Sequence, residues 1–197
     1  KDFELTFYGK YERDRLSLLA RMGYHFIDGM IGSPSDFTRA QGLNWVEHPP
    51  GIGDDQRNYY VADMKLQYGD SNSYFYFNKW DQHWGPGVNS LTISDKIPRF
   101  FHFGFKWQLR ENIHFEYLHG KLKSGITDST YAGYYGSRST DIVRNVVVHR
   151  LEWQPIKQII ISGTESVLYA NRFIDMTYLL PFVPFFSIQT HMGETDN

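Results

Sequence analysis

The sequence predicts an all-β chain: an antiparallel up-and-down transmembrane β-barrel, or a segment of a larger one, with about eight or nine strands visible. Three observations carry that expectation. Run after run, large apolar residues alternate with polar ones at period 2, the pattern of strands whose two faces meet different surroundings. Short polar turns and long connections take turns along the chain. Mid-strand charges collect on the faces opposite the aromatic ones.

The pattern is sharpest over 100–122. Phe101, Phe103, Phe105, Trp107 and Leu109 alternate with His102, Gly104, Lys106, Gln108 and Arg110. Arg110-Glu111-Asn112 breaks the run, and Ile113, Phe115 and Tyr117 resume it against His114 and Glu116, which makes an antiparallel hairpin.

From the N-terminus, Phe3, Leu5 and Phe7 open a strand that runs to about Tyr11. After a turn at Glu12-Arg13-Asp14, Leu16 to Phe26 sets Leu16, Leu18, Ala20, Met22, Tyr24 and Phe26 against Arg15, Ser17, Arg21 and His25. Residues 28–56 form a long connection containing Pro34, Pro49, Pro50 and Trp45. Tyr60 to Tyr68 is the third strand, Gly69 to Asn72 a tight turn, and Tyr74 to Trp80 the fourth strand. The hairpin is preceded by a second long connection, 81–98, and followed by a third, 120–140. Ile142 to Trp153 is a strand with blurred alternation at Val146-Val147-Val148, and Pro155-Ile156-Lys157 turns it into Gln158 to Ser162. Beyond Gly163 the pattern admits strands at Val167 to Tyr169 and Phe173 to Phe186, or a broken segment interrupted by Pro181 and Pro184. No stretch has a helical period, which disfavours α/β folds.

Short turns near residues 13, 71, 111 and 156 alternate with long connections around 28–56, 81–98 and 120–140. Outer-membrane barrels show this asymmetry, with short turns on one side of the membrane and long loops on the other. The second run is also longer than the ~9–11 residues that cross a bilayer at a tilt. Lipid-facing aromatic sides would leave Arg21, Lys65, Lys106, Arg110, Glu116 and Arg150 facing a wet lumen. Alternation alone fits a soluble β-sandwich as well.

Composition narrows the classes. Of 197 residues, 15 are Phe, 14 Tyr and 5 Trp, a load that suits aromatic girdles at membrane interfaces. A net charge of -2 offers no basic stripe for nucleic acid. Cysteine is absent, which excludes disulfides and thiolate chemistry. No apolar run is long enough for a transmembrane helix. The opening inside a strand pattern and the ending in Gly193-Glu194-Thr195-Asp196-Asn197 suggest a mature or internal segment of one barrel domain spanning 1–197, with no second domain visible.

The most distinctive local sequence is Trp80-Asp81-Gln82-His83-Trp84-Gly85-Pro86-Gly87, followed by Asn89-Ser90-Leu91-Thr92-Ile93-Ser94 and Ile97-Pro98-Arg99. This combination resembles the capsule-assembly outer-membrane proteins of the Wzi type. The stretch from His149-Arg150-Leu151-Glu152 to Gly163-Thr164-Glu165-Ser166-Val167-Leu168-Tyr169 is similar to a second segment of that family. The resemblance implies a large outer-membrane β-barrel with a helical bundle at its periplasmic side, which holds capsular polysaccharide at the cell surface as a lectin. This chain carries about half the strands of such a barrel, and no helical bundle is visible in it.

The candidate polysaccharide-binding residues are Trp80, His83, Trp84, Tyr131, Tyr134, Tyr135 and Arg138. Indole and phenol rings pack on pyranose C–H faces, and imidazole or guanidinium groups meet hydroxyls and carboxylates. A packed, bracing turn at 80–87 and an ordinary external loop at 131–138 are the structural alternatives. Eight histidines show no metal-ligand spacing, so no metal or cofactor is expected. No nucleophile elbow or phosphate loop is present, and acid pairs such as Glu152 with Glu165 or Asp81 with Asp95 mean little unaided, so no enzyme is expected. The expected partners are surface polysaccharide and outer-membrane lipid. The other readings are an outer-membrane diffusion channel or transporter, and a soluble all-β carbohydrate-binding module.

Overall fold

A computed structural model describes residues 2–28, 44–47, 56–84, 93, 99–128, 132–133, 136–137, 140–170, 174–180 and 183–192. The fold is all-β. Its strands are β1 (Asp2–Arg13), β2 (Leu16–Asp28), β3 (Asn44–Glu47), β4 (Gln56–Gly69), β5 (Tyr74–Lys79), β6 (Phe101–Arg110), β7 (Ile113–Asp128), β8 (Ala132–Gly133), β9 (Gly136–Ser137), β10 (Thr140–Ile156) and β11 (Ile159–Ala170). A 3-10 turn (Met176–Leu179) and one helix, α1 (Phe185–Met192), follow. Hydrogen bonds order the main strands β1-β2-β4-β5-β6-β7-β10-β11, with β3 on β4 and β8 paired to β9. Each main strand is thus beside its neighbour in the chain, an antiparallel up-and-down arrangement. Among the described residues the outer edges of β1 and β11 carry no partner strand, so the sheet is open there. No helix among the described residues is long and apolar enough to cross a membrane.

The chain divides into two compact units, Lys1–Gly69 with Tyr76–Phe101, and Asp70–Phe75 with His102–Asn197. In the first, register places every apolar series on one face. Phe3 pairs with Phe26, Leu5 with Tyr24, Phe7 with Met22 and Tyr11 with Leu18. Across β2 and β4 Leu16 pairs with Tyr68, Leu18 with Leu66, Ala20 with Met64, Met22 with Ala62 and Tyr24 with Tyr60. This face is open: Phe7 and Met22 are each 67% exposed, and Phe3, Leu5, Tyr11, Tyr60 and Tyr68 are exposed too. Gly23 allows β1 to approach, since a Cβ there would meet Thr6 Oγ1 at 2.8 Å and the Leu5 carbonyl at 3.0 Å.

The short turns match the sequence closely. Asp14-Arg15 joins β1 to β2, with Asp14 at φ 51°. Asp70 closes the next turn by accepting the Asn72 and Ser73 N–H groups, each at 2.8 Å. In the first unit the Gly69 N–H donates to the Arg15 carbonyl at 2.9 Å. In the second, Gln108 N–H donates to Ser73 Oγ at 3.1 Å, and Gln154 N–H to the Asn112 carbonyl at 2.8 Å. Within each unit, then, neighbouring short turns lie at the same strand ends.

The second unit differs from the alternating pattern in three places. The Gly- and Ser-rich stretch after 120 continues as paired β7 and β10, with Lys121 opposite Asn145 and Thr127 opposite Asp141. Val147 and Val148 are both buried although they point to opposite faces, so β10 is covered on both sides and loses its alternation. Gly163 does not interrupt β11, where it pairs with Leu151 and has open space around it.

Of the two readings of residues 173–186, the described residues fit the broken segment: the 3-10 turn Met176–Leu179 stands before Pro181 and α1 begins after Pro184, a helix that no periodicity announced. Pro184 precedes the helix, and the Glu165 carboxylate of β11 accepts the N–H of Phe185 at 2.8 Å and of Phe186 at 3.4 Å. These are orphan donors of a helix start, satisfied by an acid twenty residues away. The C-terminal segment lies on the aromatic face of β7, β10 and β11. There Tyr178, Phe185 and Ile188 form a core with Phe115, Tyr117, Val147, Val167 and Tyr169, and Phe103 and Phe105 pack against it. Tyr117 Oη donates to the Tyr178 carbonyl at 3.1 Å, and Tyr169 Oη accepts the Asp175 N–H at 3.1 Å. His119 Nε2 lies 2.8 Å from Tyr169 Oη. Here the face expected to meet lipid is covered by the chain itself.

Removing a ring from that core leaves a cavity. Phe185→Ala is expected to lower unfolding free energy by about 3–5 kcal/mol, whereas exposed Phe186→Ala stays within about 0.5 kcal/mol. Denaturant titration of the two variants checks this.

Candidate functional site

In the first unit, pairing alone brings the polar groups together. Tyr8 stands opposite Arg21 in the β1–β2 ladder, and Arg21 opposite Asp63 in the β2–β4 ladder. The Asp63 side chain is 0% exposed, so its charge has to be met by the protein. Arg21 Nε donates to Oδ2 at 3.1 Å, and Arg21 Nη2 donates to the same oxygen. Arg99 Nη1 donates to Oδ2 as well, at 3.1 Å. Lys79 Nζ lies 3.9 Å from Oδ1 and donates to the Ala62 carbonyl at 2.8 Å.

Arg99 also forks onto Asp81, with Nε to Oδ1 at 2.8 Å and Nη2 to Oδ2 at 3.0 Å, a bidentate pair. The Arg21 guanidinium sits 5.5 Å from the centre of the Trp80 ring, a cation–π distance. Among the described residues, three cations stand here against two carboxylates.

This arrangement gives the Trp-Gly-Pro-Gly to Ile-Pro-Arg motif a physical role. Its first members, Trp80 and Asp81, and its last, Arg99, meet on the polar face of β2 and β4. Between them the Trp84 N–H donates to the Ile93 carbonyl at 2.9 Å in an isolated antiparallel bridge. Trp84 is only 5% exposed, which leaves no open ring face for a sugar. Of the three motif residues expected to bind glycan, Trp80 is half-buried and His83 exposed. Tyr131, Tyr134, Tyr135 and Arg138 lie outside the described residues.

The second unit carries its own ionic series. Arg150 of β10 stands opposite Glu116 of β7. Lys106 Nζ is 3.5 Å from Glu116 Oε1, Arg150 Nη1 is 3.6 Å from Glu116 Oε2, and Arg150 Nη2 pairs with Glu152. Lys65 is half-buried in the first unit, opposite Leu19. Arg110 stands apart: it is exposed beside the β6–β7 turn and borders an open polar cleft of about 390 Å³ with Asp70, Ser73 and Glu111. The structure therefore brings Arg21 into one network and Lys106, Glu116 and Arg150 into another, and leaves Arg110 outside both.

Sequence reasoning missed Asp63 and Arg99. The available signal was register: once the turn at Asp14-Arg15 is fixed and the apolar faces are matched, Asp63 falls opposite Arg21. Comparison of the chain with family models, curated proteins and solved structures finds no match.

Glu116→Gln leaves Lys106 and Arg150 with a weaker partner and is expected to cost about 1–3 kcal/mol. Lys10→Ala in the exposed Lys10–Glu12 pair is expected to cost under about 1 kcal/mol. Urea midpoints of the two variants, measured side by side, check the contrast.

Proposed function

We propose that the chain is a strand segment of an outer-membrane β-barrel that binds and retains capsular or other surface polysaccharide. Its open aromatic face meets lipid, and its ionic face lines the interior. The observation that carries this reading is the exposed apolar face of β1, β2 and β4, built by register from Phe3, Leu5, Phe7, Met22, Tyr60 and Tyr68. Monomeric proteins in water rarely expose a contiguous apolar surface of that kind. Behind it, Asp63 is buried and Arg21 half-buried, an inversion of the usual sorting.

Three further features support the reading. The strands β1, β2, β4, β7, β10 and β11 run to 12 or more residues each, past the ~9–11 that span a tilted crossing. Exposed Tyr11 and Tyr68 lie near the short-turn end of the first unit, and exposed Trp107 and Trp153 near that of the second, as an interfacial girdle would require. Among the described residues the edges of β1 and β11 carry no partner strand, which suits a sheet continued by further strands.

In the second unit, lipid contact falls to the turn-proximal residues Leu109, Leu151, Trp153 and Ile161, because the C-terminal segment covers the rest. The polysaccharide rests on the resemblance of the Trp80–Arg99 motif to capsule-assembly proteins, with Trp80 and His83 as the accessible groups beside a positively charged network.

An Arg on a lipid face costs about 2–4 kcal/mol at the bilayer midplane. Met22→Arg is therefore expected to lower the carbonate-resistant fraction of the chain in vesicles by at least about tenfold. An unchanged fraction, or purification of the parent without detergent, removes the membrane reading. On a glycan array the parent should bind acidic surface polysaccharide and Trp80→Ala should lose it. Large single-channel conductance without glycan binding would favour a diffusion channel.

A further inference from the structure

A barrel interior requires only that charges turn away from lipid. A mid-strand acid facing interior water would stay hydrated. Asp63 is instead fully enclosed, and each cation around it is more than four-fifths covered. Two of them, Arg21 and Lys79, belong to strands of the sheet. Arg99 does not: it returns to the site eighteen residues after Asp81.

We propose that Asp63 is an anchor that fixes Trp80, Asp81 and Arg99 against the polar face of β2 and β4. Arg99 is the connecting arm. Its Nη1 holds Asp63 while Nε and Nη2 hold Asp81, so a single planar group ties a strand carboxylate to Asp81. Arg21 completes the clasp, since the guanidinium that binds Asp63 also lies over Trp80. The Trp84–Ile93 bridge lies in the same unit.

Among the described residues, neutralising Asp63 changes the balance from three cations against two carboxylates to three against one. Arg21, Lys79 and Arg99 then repel one another in a poorly hydrated site, and the arm that can leave is Arg99, which is on no strand. Its departure takes Asp81 with it and loosens Trp80 and the bridge. Asp63 is thus a positioning residue for Trp80 and His83, and it touches no glycan itself. The inference goes beyond the barrel reading and concerns the first unit alone.

The chain has no cysteine, so one introduced thiol reports without background. Ile93 is 6% exposed, and in Ile93→Cys the thiol should react slowly with a maleimide. Adding Asp63→Asn should speed the reaction by about tenfold or more, as local opening exposes the site. Asp81→Asn, a milder change at a partly exposed acid, should speed it as well, and it keeps the test decisive should Asp63→Asn fail to fold by circular dichroism. Ser71→Cys, in an exposed polar turn, supplies the unprotected rate. Unchanged protection in both acid variants overturns the proposal, as does equal acceleration by Glu116→Gln, which would show general loosening. The labelling rate reads this site and not the membrane. Its failure leaves the barrel reading standing, and failure of carbonate resistance leaves the anchor standing.

Discussion

The structure depends on register. In an antiparallel sheet a slip of one residue turns every side chain to the other face. Here such a slip between β1 and β2, or β2 and β4, would send Met22 and Phe7 inward and leave Arg21 and Asp63 among exposed aromatics. Two devices hold the setting. Two-residue turns at Asp14-Arg15 and Glu111-Asn112 leave no slack, and the Arg21–Asp63 pair fits only one alignment. Apolar sorting and buried charge therefore specify the same pairing, and each makes the alternatives costly.

The two units meet the problem of a large aromatic face differently. The first leaves it open across three strands. The second covers its middle with Tyr178, Phe185 and Ile188 and places polar groups beneath the cover, among them His119, His149 and the Tyr117 hydroxyl. Those groups would be costly against hydrocarbon, and beneath the C-terminal segment two of them find polar partners: Tyr117 Oη bonds the Tyr178 carbonyl, and His119 Nε2 lies 2.8 Å from Tyr169 Oη. Glu165 belongs to the same logic, as a carboxylate on the aromatic face that starts a helix.

Much of the strand plan was legible because strands write their two surroundings into period 2. Phe101 to Leu109 and Leu16 to Phe26 could be placed from alternation, and the turns at Asp70 and Asn112 from their polar residues. What was hidden came from contacts distant in sequence. Val146-Val147-Val148 lost its rhythm because both faces of β10 are covered. Helix α1 carries no strong signal of its own, and the acid that starts it belongs to β11. Of the candidate site, Arg21, Lys106, Glu116 and Arg150 were visible in the sequence as charges alternating with the large apolar residues. Asp63 was visible only as one acid among many, because its significance lies in which residues surround it. The indole of Trp84, a sugar-platform candidate in the sequence, is only 5% exposed, and its backbone bridges to Ile93.

The C-terminal cover also bears on how the chain is made. Hairpins such as β6–β7 and β10–β11 join sequence neighbours and can form early in folding. The rings of Tyr178, Phe185 and Ile188 arrive only after β7, β10 and β11 have been synthesised. Until then Phe115, Tyr117, Val167 and Tyr169 stand uncovered on a nascent sheet, a sticky intermediate of the kind that holdase chaperones shield.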